Sequence, residues 1–180
     1  GLAMVSRVGL VAVTAGLGHV GFGFELENGL AFDDRFVELS PINLDGQPRP
    51  PADVPSHRFG EIGKMFVVHP EVSTVELVDA VDPLVPTEVN VTTSGVTFVE
   101  LTPPGADKGT AVARLAERLA IDAADVLAFG DNQNDLTLLS WAGRGVAMGN
   151  ALDMVKAAAD EVTTSNLEHG VARVIEALLA

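Results

Sequence analysis

The sequence predicts an α/β chain: a partial, Rossmann-like parallel sheet over residues ~102–180, preceded by a separate α+β module over residues ~1–101. After Pro103-Pro104, short apolar runs alternate with amphipathic stretches, the rhythm of strands joined by right-handed helical crossovers. Before the prolines, the apolar runs are short and cluster around turn dipeptides, as antiparallel strands do. A hydrophobic content of 47% over 180 residues is enough to bury a core.

Residues 8–24, "VGLVAVTAGLGHVGFGF", read as core helix and strand. The run lacks a basic cluster ahead of it and is too glycine-interrupted for a leader or a membrane span. "FGFELENGLAFDD" then alternates on either side of Asn28-Gly29, a dipeptide that accepts the positive φ of a tight hairpin turn. Residues 41–55 hold half of the ten prolines and read as a surface loop. "GKMFVVHP" is a buried strand, and Ser73 with Glu76 forms a capping box that opens the helix "VELVDAV". "TEVNVTT" and "VTFVEL" are paired strands joined at Ser94-Gly95.

Beyond residue 102, "GTAVARLAERLAI" is a helix with apolar residues at 112, 115, 116 and 119, and Asp122 caps a short turn after it. "DVLAFGD" is a continuous apolar strand of the kind found inside parallel sheets. "DLTLLSWAG" is a helix, "GVAMG" a strand, "ALDMVKAAA" a helix, "DEVTTS" a short strand and "HGVARVIEALLA" the closing helix.

Composition narrows the function. Eleven basic against 25 acidic residues give −14, a field of the wrong sign for nonspecific nucleic-acid or anionic-membrane binding. The absence of cysteine excludes disulfides, thiolate metal sites and a cysteine nucleophile, and it suits a cytoplasmic protein. The four histidines, 19, 57, 69 and 169, show no ligand spacing.

The chemistry concentrates in "GDNQND", Gly130–Asp135. Asp131 falls at the carboxyl end of an apolar strand, where open α/β sheets bind ligands, and Asn134 and Asp135 open the next helix. Such a cluster of hard oxygens suits Mg²⁺, although Asp and Asn also serve simply as turn and cap residues. A calcium loop is excluded, because Leu136 stands where its glycine is required. Lys108, in "GADKGT", can reach the same end of the sheet and neutralise phosphate.

Residues 107–179, with "DKGT", "GDNQND" and "GVAMGNA" in order, resemble the C-terminal part of the Cof-type phosphatases of the haloacid dehalogenase superfamily. The resemblance implies a Mg²⁺-dependent phosphatase of small phosphorylated metabolites such as sugar phosphates. It implies that Asp131 ligates Mg²⁺ and that Asp135 is the second metal carboxylate, acting indirectly. It also implies that Lys108 steadies the nucleophile and the transferring phosphoryl group, that Asn134 donates to the substrate phosphate or orients ligands, and that Asn150 supports the substrate site. Residues ~1–101 would be the inserted α+β cap that selects the substrate, with Arg58, Lys64 and Phe66 as candidate contacts.

The family's nucleophile, the first aspartate of "DxDGT", forms an aspartyl-phosphate. No such motif occurs in these 180 residues. "NLDGQ" (43–47) carries asparagine at that position and reads as a turn, and "DDRF" (33–36) reads as part of a hairpin. The expectations are therefore a fragment inactive on its own, a sheet edge left open where the nucleophile strand belongs, and homo-oligomerisation through that edge. A non-catalytic, degenerate binding or assembly module is the competing reading, and a phosphomutase a third. Trp141 is expected in the core and Arg144 in a surface loop.

Overall fold

The computed structural model describes residues 16–26, 29–40 and 62–180. The expected loop at 41–55, the "NLDGQ" turn, Arg58 and residues 8–15 of the 8–24 run lie outside these residues. The chain divides into two compact units, Gly1–Pro104 and Gly105–Ala180.

The first unit is built on a five-stranded antiparallel sheet: β1 (Gly21–Leu26), β2 (Gly29–Phe32), β3 (Ile62–Val68), β4 (Asn90–Thr92) and β5 (Val99–Thr102), in the order β2-β1-β3-β5-β4. Because side chains alternate across a strand, the sheet has two distinct faces. Met65, Val67, Val99 and Leu101 point to one face, where helix α2 (Thr74–Val81) adds Leu77, Val78 and Val81 to the larger core. Phe66 and Val68 point to the other, with Phe32 and with Phe36 of helix α1 (Asp34–Leu39).

The alternation "GFGF" follows from these two faces. Phe22 and Phe24 enter the larger core. Gly21 and Gly23 leave room for what lies opposite: a Cβ on Gly21 would stand 2.4 Å from the Phe36 backbone nitrogen, and one on Gly23 2.7 Å from the Phe32 ring. Phe32 and Phe36 then stack with ring centroids 5.0 Å apart, a favourable aromatic separation.

The Ser73–Glu76 capping box opens α2 as expected. Two local expectations are corrected. "DDRF" is the start of α1, not hairpin: Asp33 caps it, accepting from the Phe36 N–H at 2.6 Å and also from the Phe22 N–H. Strands β4 and β5 pair with Thr92 opposite Glu100, so six residues, 93–98, connect them in place of a tight Ser94-Gly95 turn.

The second unit carries a three-stranded parallel sheet, β6 (Leu127–Gly130), β7 (Arg144–Ala147) and β8 (Glu161–Val162), in the order β6-β7-β8. Helix α3 (Lys108–Leu119) precedes the strands, and α4 (Leu136–Trp141), α5 (Asp153–Ala158) and α6 (Gly170–Leu179) connect and follow them. Leu139, Val146, Ala147 and Val155 are buried, and Trp141 packs against this core. Of the stripe expected on α3, Ala116 is buried, but Leu115 and Leu119 are 51% and 59% exposed. Amphipathic spacing predicts an apolar stripe without fixing what covers it. Arg144 begins β7 instead of lying in a loop, and it pairs with Glu161 at 2.8 Å.

Candidate active site

β6 delivers Gly130 and then Asp131 at the carboxyl end of the parallel sheet. The loop turns at once, because the buried Asp135 carboxylate reaches back over it. Its Oδ2 accepts the N–H groups of Asp131 at 2.9 Å and Asn132 at 3.1 Å. Gly130 is what permits this: a Cβ there would lie 2.5 Å from Asp135 Cβ.

The other Asp135 oxygen accepts a hydrogen bond from Lys108 Nζ, so ammonium and carboxylate meet directly. Lys108 is the first residue of α3, and the helix is held there by two contacts. Asp107 caps it, accepting from the Thr110 N–H at 2.9 Å and the Thr110 hydroxyl at 2.8 Å. Burial raises the Asp107 pKa, but these bonds, with others from Thr137 and Gly109, outweigh it and hold the carboxyl below its ordinary value. The Gly109 N–H donates to Thr137 Oγ1, and a Cβ on Gly109 would stand 2.5 Å from the Thr137 carbonyl. Glycine thus lets the start of α3 press against α4, the helix that Asp135 leads into.

Asp131 is held by two amides. Asn132 Nδ2 donates to its Oδ1 at 3.0 Å and Asn150 Nδ2 to its Oδ2 at 3.2 Å. Asn150 is occupied at its other end as well, its Oδ1 accepting the Asn166 N–H at 2.9 Å. Asn134 lies in the same loop with its Oδ1 buried and without a hydrogen-bond partner.

The donor set fits Mg²⁺. Two carboxylates against one ammonium leave a net negative charge, and the Asn134 carbonyl is a further hard oxygen lacking a partner. Among the described residues no three Asp, Glu, His or Cys side chains converge to form a closed cage. A site with few protein carboxylates, open to water and phosphate oxygens, is what Mg²⁺ prefers over Ca²⁺ or Zn²⁺.

Lys108, Asp131, Asn134, Asp135 and Asn150 therefore all lie in the second unit, and four of them are joined in a chain from Lys108 through Asp135 to the Asp131 main chain, and from the Asp131 carboxylate to Asn150, while Asn134 stays outside it. Sequence reasoning missed Gly109, Gly130, Asn132 and Asn166. The glycines in "DKGT" and "FGD" were the visible signal for two of them, while the part played by Asn166 uses a backbone N–H that every residue except proline carries.

In the first unit, Lys64 Nζ donates to Glu100 Oε2 at 2.9 Å, and the Ser94 hydroxyl donates to Glu100 Oε1 at 2.8 Å. Phe66 is buried among Phe32, Phe36 and Phe98. His69 accepts the N–H groups of Glu71 and Val72 and organises its own loop.

A family model described as haloacid dehalogenase-like hydrolase matches residues 53–175. Among curated proteins, a phosphatase of Bacillus subtilis is 49% identical over 80 residues, 44% of this chain and 28% of that protein. A 5-amino-6-(5-phospho-D-ribitylamino)uracil phosphatase of the same organism is 43% identical over 88 residues, 49% of this chain and 35% of the relative. The chain thus spans only about a third of the length of these relatives. A haloacid dehalogenase-like hydrolase from Bacteroides thetaiotaomicron has a similar structure, with a TM-score of 0.65 at 27% identity over 98% of this chain and 66% of that one. A subclass IIB sugar phosphatase of the superfamily matches in fold with a TM-score of 0.74 at 24% identity, over 95% of this chain and 65% of that one.

Proposed function

Since this chain belongs to the haloacid dehalogenase-like hydrolases, we propose that it carries the metal- and phosphate-facing part of a Mg²⁺-dependent phosphoric monoester hydrolase. The substrate is a small phosphorylated metabolite, such as a sugar phosphate. The observation that carries this reading is the direct meeting of Lys108 with Asp135 at the loop that presents Asp131.

Asp131 and the Asn134 carbonyl would hold the ion, and Asp135 would contact it indirectly while fixing the loop. Bound there, Mg²⁺ supplies charge neutralisation for a phosphoryl transfer that asks mainly for positioning and electrostatics. Lys108, with its side chain 50% exposed, keeps donors free for a phosphate oxygen or an incoming carboxylate. The Asn134 amide nitrogen is a further donor toward the phosphate.

Residues 1–104 would act as the substrate-selecting cap and 105–180 as part of the catalytic core. The nucleophilic aspartate is not among these 180 residues, so this chain alone should turn over no substrate. Cytoplasmic residence suits the acidic, cysteine-free composition. Among the described residues β6 pairs only with β7, and an edge strand with a free ladder invites a second copy. A dimer or larger species is the expected result in light scattering, and a monomer at micromolar concentration would refute that part.

The test extends the coding sequence upstream to an in-frame "DxDGT" and assays p-nitrophenyl phosphate with and without Mg²⁺. Turnover should require Mg²⁺, Asp131 and Lys108. No turnover by the extended protein would favour the second reading, a non-catalytic module, which the missing nucleophile motif supports.

A further inference from the structure

Asn150 is engaged at both ends of its side chain. Its Nδ2 donates to Asp131 Oδ2 at 3.2 Å, and its Oδ1 accepts the main-chain N–H of Asn166 at 2.9 Å. We propose that Asn150 is a positioning residue, not a substrate contact, and that the turn at residues 163–170 sets the orientation of the Asp131 carboxylate through it. The proposal rests on the reading of Asp131 as the metal-holding residue.

The turn is built to present that N–H rigidly. Ser165 and Glu168 close a capping box, with the Ser165 hydroxyl donating to Glu168 Oε2 at 2.6 Å and the Ser165 N–H to the same oxygen at 3.2 Å. Two glycines let neighbouring backbone close on it. A Cβ on Gly149 would stand 2.7 Å from the Ser165 nitrogen, and one on Gly170 2.1 Å from the Thr164 carbonyl oxygen. The Gly149 N–H donates to the Thr164 carbonyl, and the Thr163 hydroxyl to the Gly170 carbonyl. Asn166 is the first residue of the short helical turn that follows, so its N–H has no partner within that turn. Asn150 supplies the acceptor and hands the constraint on to Asp131.

Two hydrogen bonds from different directions, Asn132 on Oδ1 and Asn150 on Oδ2, fix the plane of the Asp131 carboxylate. A planar group held at both oxygens presents its remaining lone pairs in set directions. Side chains that orient a metal ligand in this way typically change metal affinity by roughly 10–100-fold when removed.

The experiment measures Mn²⁺ affinity of the whole chain by electron paramagnetic resonance, alongside the urea midpoint of each variant. Asn150→Ala should weaken binding about tenfold with the midpoint unchanged, since Asn150 is exposed. Asn166→Pro removes the donated N–H at a position where proline is tolerated, after a residue whose extended backbone suits a following proline. It should weaken Mn²⁺ binding several-fold, whereas Asn166→Ala, which keeps the N–H, should bind as the wild type does. Independently of metal, a through-hydrogen-bond coupling between the Asn166 nitrogen and the Asn150 side-chain carbonyl carbon should be visible by NMR and vanish in Asn150→Ala.

Wild-type affinity in both Asn150→Ala and Asn166→Pro would overturn the proposal, as would equal weakening by Asn166→Ala and Asn166→Pro. If the wild-type chain shows no saturable site that Asp131→Asn removes, the reading of Asp131 itself fails, and the proposal fails with it.

Discussion

Lys108 and Asp135, 27 residues apart in sequence, meet as an ion pair in which the carboxylate is buried and the ammonium half exposed. The asymmetry sets unequal costs for the two partners. Asp135→Ala removes the lysine's partner and the acceptor of two backbone N–H groups, and should destabilise the second unit by on the order of 3 kcal/mol. Lys108→Ala leaves those two bonds in place and loses a pair screened by solvent, so about 1 kcal/mol is expected. Urea unfolding of both variants checks the order, and a larger loss for Lys108→Ala would contradict it.

Gly109→Ala sets helix propensity against packing. In a free helix the change would stabilise by about 1 kcal/mol. Here the new Cβ would stand 2.5 Å from the Thr137 carbonyl, which is backbone and cannot rotate away. Net destabilisation of about 1–3 kcal/mol is expected, because α3 must shift away from α4 to make room. A thermal midpoint at or above that of the wild type would show that the two helices do not approach so closely.

Asp107 gives a pH dependence with a defined sign. Its hydrogen bonds outweigh burial and hold its pKa below the ordinary 3.8. A carboxyl depressed on folding contributes stability above its unfolded pKa, and that contribution is lost as pH falls through the lower folded value. Asp107→Ala should therefore cost about 1 kcal/mol as a lost helix cap at all pH values above roughly 4. Below that the gap to the wild type should narrow. Urea midpoints of both proteins at neutral and strongly acid pH measure it, and a gap that widens in acid would reverse the sign.

In the first unit, Phe36 is 1% exposed and stacks on Phe32 within the aromatic cluster beneath α1. Phe36→Ala should cost about 3–5 kcal/mol. Near-ultraviolet circular dichroism with urea unfolding reports both the lost stacking and the lost stability. A change under 1 kcal/mol would mean that α1 does not cover that face of the sheet.

What the sequence made legible was local chemistry with short-range consequences. Ser73 and Glu76 have the spacing of a capping box and form one, and Asp131 follows an apolar strand and falls at its carboxyl end. "DDRF" does not declare itself, because two adjacent acids serve a helix start as readily as a turn, and only the Phe36 N–H on Asp33 separates the two. The exposure of Leu115 and Leu119 was hidden because an apolar stripe states a preference for burial without naming a partner. The Asn150–Asn166 contact lay beyond reach altogether, since it joins a side chain to a main-chain N–H 16 residues away.

The central claim, that the Asp131 loop and Lys108 form a metal site poised for phosphate, is tested most directly by Mn²⁺ line broadening on the ¹⁵N-labelled chain. Broadening centred on the amides of residues 130–135 and 150, saturable, displaced by Mg²⁺ and absent in Asp131→Asn, is the result expected. Broadening spread over the acidic surface of this −14 chain, and unchanged in Asp131→Asn, would contradict it.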